Sequence, residues 1–168
     1  MSHPLETFWL ADDGNLAPNN PSLPLIVYRH ALPVGDPATI EAHFRRNRWS
    51  NAWVDGIYPF HHYHATAHEV LGIAAGTAEV QFGGPSGPVL TVSAGDAVLI
   101  PAGIGHCRVS ASDDLSVVGA YPGGADWDLV HATPAARSES LPKIAVVPPP
   151  TSDPVYGSGG PACCAGRP

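Results

Sequence analysis

Residues 56–76 read GIYPFHHYHATAHEVLGIAAG, four histidines and a glutamate set in a segment that otherwise has the composition of β-structure. On a strand, side chains two apart share a face, so His62 and His64 point together while His61 and Tyr63 point the other way. Glu69 follows past a short turn at residues 65–68 and opens a second apolar run, residues 70–75. If the two runs pair as a hairpin, the carboxylate swings back toward the imidazoles. In another register it caps the turn or faces water and leaves the histidines without it. Nitrogen and carboxylate oxygen donors on one wall suit a divalent first-row ion better than they suit a hydrophobic core.

Upstream, residues 6–11 and 25–32 form two strand candidates, separated by a Pro/Asn loop. Between them and the histidines lies one clear helix, with Asp36 as N-cap, Pro37 where its missing N–H costs nothing, and the pair Ile40/Phe44 on one face, ending near Asn47. Arg45, Arg46 and Arg48 make its end basic, which either complements the helix dipole in solvent or offers an anion site. Downstream, residues 77–82 alternate polar and apolar as a half-buried antiparallel strand does. Further short strands are expected at 52–58, 89–92, 98–100, 106–109 and 115–120, each bounded by Gly, Pro or Asp. Beyond them we expect one helical turn within 125–130, an extended run at 143–147, and a Gly/Pro-rich tail at 157–168 that is mobile or draped on the surface.

Eighteen glycines and nineteen prolines with only 14% charged residues favour many short strands and turns over long helices. The fold class expected is therefore all-β, a sandwich or barrel. At 168 residues one domain is expected, in three parts: 1–50 as N-terminal strands and helix packed on a barrel, 51–122 as the barrel core, and 123–168 as a C-terminal extension of the same domain. A net charge of −7 disfavours nucleic acid as a partner. No stretch reaches the ~18 apolar residues of a membrane span, and the N-terminus lacks a basic, then apolar leader pattern, so a cytoplasmic protein is expected. Cys107, Cys163 and Cys164 match neither a disulfide framework nor a zinc site, which agrees with a reducing compartment.

A second motif, residues 95–106, GDAVLIPAGIGH, has the spacing G-x5-P-x-G-x2-H, and the first has the spacing G-x5-H-x-H-x4-E-x6-G. In order and separation the pair resembles the two halves of the cupin motif. The resemblance implies a small antiparallel jelly-roll barrel with a metal held inside by His62, His64, Glu69 and His106. The longer stretches FRRNRWSNAWVDGIYPFHHYHATAHEVLGIAAG, SASDDLSVVGAYP and DPVYGSGGP, together covering residues 44–160, are similar to the bacterial YjlB-like single-domain cupins, a family with no settled reaction. Where many cupins carry Asn in the second motif this chain has Ser110, a position that is not normally a ligand.

Three imidazoles and a carboxylate leave two places in an octahedral shell, which fits Fe, Mn or Ni, with Zn able to use the same donors. The same histidines in a cupin without metal would be hydrogen-bonded barrel residues. Strand parity puts Tyr58 and Phe60 on the face of His62, and Arg108 on that of His106, as an aromatic wall and a cation for a small-molecule substrate. Arg108 is read either as a carboxylate anchor or as a rim residue paired to Asp or Glu. His61 and His68 are expected at the surface or behind the ligands, and Cys107 as a packed thiol. The resulting expectation is a mononuclear metal-dependent cupin, acting on a small polar molecule by oxidoreductase (dioxygenase-type) or isomerase chemistry. The alternative is a non-catalytic metal-dependent binding or sensing module, since parity offers no ready base beside the ligands. The N-terminal runs could extend a homodimer interface.

Overall fold

Alternation writes the strands directly. In Thr77–Phe82 exposed and buried residues alternate with few exceptions, and in Glu69–Ala75 both faces are covered. The computed structural model describes residues 4–164, with the Cys164 side chain and residues 165–168 of the tail outside that description. Among these residues the elements are β1 (Leu5–Phe8), β2 (Leu25–Tyr28), α1 (Pro37–Arg46), β3 (Trp49–Asp55), β4 (His62–Tyr63), β5 (Glu69–Ala75), β6 (Thr77–Phe82), β7 (Val89–Ser93), β8 (Ala97–Ile100), β9 (His106–Ala111), β10 (Ser116–Pro122), β11 (Val130–His131), α2 (Pro134–Ala145) and α3 (Pro161–Cys164).

The strands form a six-stranded sheet, β1-β2-β8-β5-β10-β3, and a five-stranded sheet, β11-β4-β9-β6-β7. Every pairing is antiparallel, and the two sheets face one another as a jelly roll. Leu71, Ile73, Val98 and Val117 from the first sheet meet Val80, Phe82 and Val92 from the second in the interior. The other face of the six-stranded sheet, with Val70, Ala74, Leu99, Val118 and Ala120, packs on Ile40 and Phe44 of α1. Gly72 makes that approach possible, because a Cβ there would lie 2.8 Å from atoms of both Ile40 and Phe44. Asp36 caps α1 by accepting from the Ala38 N–H at 2.9 Å.

Three expectations need correction. The histidine run and residues 70–75 do not pair as a hairpin: β4 belongs to the five-stranded sheet and β5 to the six-stranded one, so they oppose each other across the interior. Residues 125–130 form no helical turn, because Asp128 is spent on the amides of Ala65 and Thr66 and Val130 pairs with Tyr63. Residues 143–147 are not a strand. They belong largely to α2, capped by Thr133 and anchored by Ile144 against Tyr63, Ala65 and Ala102, with Pro142 accommodated inside the helix. The described part of the tail is tied down through Asp153. Its fully buried carboxylate accepts from Tyr28 Oη at 2.6 Å and from the amides of Val155, Tyr156 and Ala162.

Candidate metal centre

Three histidines reach the interior from one sheet and one glutamate from the other. His62 on β4 and His106 on β9 are direct cross-strand partners with ring centroids 4.0 Å apart. His64 lies just past β4, and Glu69 starts β5 on the facing sheet. The Glu69 carboxylate bridges the gap, with Oε2 3.1 Å from His64 Nε2 and Oε1 3.4 Å from His106 Nε2. The donor atoms of His64, Glu69 and His106 all lie within 4.8 Å of one another, and all three residues are buried. His62 is buried beside them but stands outside this closest group.

Backbone carbonyls decide which imidazole nitrogen faces inward. The Nδ1 of His62 bonds the Phe60 carbonyl at 2.8 Å, that of His106 the Ile104 carbonyl at 3.1 Å, and that of His64 the Asp128 carbonyl. A carbonyl only accepts, so each Nδ1 carries the proton and each Nε2 keeps a free lone pair. For His64 and His106 those lone pairs point at carboxylate oxygens, a repulsive arrangement unless a positive charge lies between them. A divalent ion meets that need, and the nitrogen and oxygen donors present fit one.

The electrostatics run the same way. Burial pushes the Glu69 carboxyl up, but the flanking His64 and His106 outweigh it and hold it well below the usual carboxylate range. Burial pushes His64 down, yet Glu69 and the Asp128 carbonyl leave it raised overall, so the site favours a positive charge beside the carboxylate. Burial, reinforced by His106, lowers His62 to about 3, keeping it a neutral lone-pair donor at ordinary pH.

Several contributors escaped the sequence reading. Tyr121 on β10 donates to Glu69 Oε2 at 2.5 Å and accepts from Trp53 Nε1 at 2.7 Å. The Trp53 indole occupies the space over Gly119, where a Cβ would come within 2.2 Å of it. Trp127 stacks on Tyr121 with centroids 5.4 Å apart and meets His64 edge-on. Parity along residues 115–121 was a usable signal for Tyr121, because Val117 and Gly119 share its face. Asp128 had none, as its role depends on where the loop lands.

Above these groups opens a cavity of about 380 Å³ whose lining includes Trp53, Tyr58, Leu71, Arg108, Tyr121 and Trp127. Tyr58 and Arg108 thus stand on the expected face. Phe60 does not line the cavity: it is sandwiched between Tyr58, at 4.9 Å, and His131, at 4.4 Å. His68 is not a surface residue either. It is buried, its Nδ1 accepting from the Ala102 N–H at 2.9 Å and its Nε2 donating to the Pro148 carbonyl at 2.8 Å. His61 is partly buried, and its Nδ1 has no partner among the described residues. Burial pushes the Cys107 thiol up, as suits a packed rather than a reactive cysteine.

Residues 54–118 match the cupin domain family. The chain is 41% identical over 157 residues to the uncharacterised protein YjlB of Bacillus subtilis (strain 168), covering 94% of this chain and 93% of that one. Among solved structures it is similar to procruciferin, an 11S globulin from Brassica napus (22% identity, 49% of this chain and 21% of that one, TM-score 0.39). Acireductone dioxygenase from Bacillus anthracis, with a cadmium ion in its active centre, matches at 18% identity (55% and 62%, TM-score 0.39). The DMSP lyase DddQ from Ruegeria pomeroyi DSS-3 matches at 21% (67% and 44%, TM-score 0.36). In each of the three the matched part is less than two-thirds of the solved chain.

Proposed function

The chain belongs to the YjlB-like cupins, and from that premise we propose that it holds one divalent first-row metal ion at His62, His64, Glu69 and His106 and acts on a small polar organic molecule in the cavity above them. One observation carries the reading: a buried carboxylate lies between two Nε2 lone pairs whose direction is set by backbone carbonyls. His62, neutral and beside His106, is the fourth donor. Bound there, the ion would act as a Lewis acid on an enol or carbonyl oxygen, chemistry that serves both isomerisation and oxidation. Tyr121 and Trp53 orient Glu69, and the stacked Tyr121 and Trp127 screen one side of the site from water.

A non-catalytic binding or sensing module is the second reading, favoured because the lining carboxylate other than Glu69, Asp55, is exposed at the rim rather than set beside the metal ligands. Glu69 is engaged by two histidines and Tyr121, and burial together with Glu69 holds the Tyr121 phenol protonated. Turnover of small hydroxy acids, diketones or phenols by Fe(II)-loaded protein, aerobically or anaerobically, separates the two. Ligand-induced stabilisation without turnover supports the module.

The metal itself is tested on protein purified without added metal or a polyhistidine tag. Elemental analysis should find about one first-row ion per chain, as a single donor set dictates. Protein that is metal-free and cannot be reloaded overturns the proposal. His106→Ala should abolish retention of the ion while His61→Ala preserves it, and the reverse ranking would move the site elsewhere.

A further inference from the structure

The cavity carries one cation that nothing nearby neutralises. Arg108 lies two residues beyond His106 on β9, so the two side chains share a face and their backbones are separated by roughly 6.6 Å along the strand. Here the ladder with β6 skips a residue. Ser110 pairs with Glu79 and Arg108 with Val80, which leaves Val109 as the extra residue of a bulge. Bulges re-aim the side chains beside them, and here Val109 faces solvent while Arg108 lines the cavity. The Arg108 N–H donates to the Tyr58 carbonyl at 3.0 Å, tying its backbone to that of another lining residue.

Arg29, Arg45 and Arg137 each have a carboxylate partner. The Arg108 guanidinium has neither a hydrogen bond nor an ion pair with any described residue, although it is only partly exposed. Two carboxylates line the same cavity, and neither is its partner. Glu69 is held by His64, His106 and Tyr121, and Asp55, exposed at the rim, accepts from the adjacent Gly56 N–H at 2.8 Å. The remaining walls are flat and largely apolar. Tyr121 and Trp127 stack with their planes 15° apart, Trp53 lies over Gly119, and Tyr58 ends a ring stack that continues through Phe60 to His131. Such surfaces favour a planar body, and a cavity of about 380 Å³ accommodates a single-ring molecule.

We infer that the ligand of this site is a small planar carboxylate, aromatic or conjugated, whose anionic end is gripped by the Arg108 guanidinium and whose opposite end reaches the metal centre. A guanidinium fork fits a carboxylate with two parallel hydrogen bonds, and the aromatic walls hold the body between the two attachment points. The inference rests on the metal reading above for its second attachment point.

Isothermal titration of the zinc-loaded protein with benzoate, benzamide and cyclohexanecarboxylate tests it, with the zinc content of every sample measured. Benzoate should bind about tenfold or more tighter than neutral benzamide, and several-fold tighter than the non-planar acid. Arg108→Gln should erase the preference over benzamide at unchanged zinc content, and Arg108→Lys should keep part of it, since the charge remains and the fork is lost. Equal binding of benzoate and benzamide to protein that holds its zinc overturns the inference and leaves the metal reading standing. So does a preference for benzoate that survives in Arg108→Gln, which would mean that the carboxylate goes to the ion. Failure of the protein to take up zinc overturns the metal reading, and the two-point attachment falls with it.

Discussion

His68 and Glu69 are neighbours in the chain and both are buried, His68 ending the loop before β5 and Glu69 opening the strand. Beyond His68, the outward face of β5 carries Val70, Gly72 and Ala74, a surface packed on α1. On the inward side Glu69 is followed by Leu71 and Ile73, which line the barrel interior. Both polar groups are fully engaged, but to different ends. His68 spends both nitrogens on backbone groups of two loops and stays neutral. Glu69 stays charged among imidazoles whose lone pairs are turned toward it. One face of the sheet thus packs the core and the other presents the candidate donors, and perturbing one should leave the other readable.

The largest effect belongs to the outward face. Phe44 is fully buried against Val70, Val118 and Ala120, and its ring reaches the space a Gly72 Cβ would need. Phe44→Ala removes that packing and should cost about 3–5 kcal/mol in denaturant unfolding. Metal content per folded chain should not change, because no atom of α1 belongs to the donor set. If the ion is lost at temperatures where the variant remains folded, the two faces are coupled and the division breaks down.

Tyr121→Phe perturbs the inward face without opening a cavity. It removes the donor to Glu69 and the acceptor of Trp53 Nε1, groups that orient a candidate ligand rather than coordinate an ion. Changes to such supporting partners typically weaken metal affinity by about 10–100-fold, while stability should fall by only about 1–2 kcal/mol. Competition with a chromophoric chelator measures the first and denaturant unfolding the second. Unchanged affinity would reduce the Trp53–Tyr121–Glu69 chain to packing.

What the chain discloses in advance follows from how local each feature is. His62 and His64 were readable because residues two apart in one extended run share a face, even though His64 falls just past β4, and α1 was readable because its cap, its proline and its apolar pair lie within ten residues. The jelly roll followed from the resemblance of both motifs to the cupin pattern, while composition and strand spacing reached only an all-β sandwich or barrel. Glu69 was expected to reach the histidines through a hairpin, but it meets them across the interior, and no local pattern encodes which of two sheets a strand joins. Tyr121 was open to parity along β10, whereas Trp53 and Asp128 reach the site from β3 and a loop and become visible only once the chain is assembled. Helix α2 was hidden by Pro142 and by an apolar face reduced to Ile144, with Ser140 buried beside it through a bond from Tyr63 Oη.

The smallest expected effect sharpens the outward half of the comparison. Burial outweighs the Pro148 carbonyl and lowers the His68 pKa from its ordinary 6.5. Its Nδ1 must accept from Ala102, so the folded protein holds the neutral ring. As the pH falls through 6.5 the unfolded chain takes up a proton that the folded protein refuses, and stability is lost in that direction. A glutamine can accept from the Ala102 amide and donate to the Pro148 carbonyl without titrating. His68→Gln should therefore cost about 1 kcal/mol or less near neutrality, and should lose less stability than the native chain when denaturant curves at about pH 7.5 and about pH 5 are compared. His62, whose pKa burial also lowers, adds the same acid sensitivity to both proteins, so the difference between them isolates His68. Identical losses in the two would mean that His68 is already free to protonate in the folded state, and that the outward face is less tightly closed than its hydrogen bonds imply.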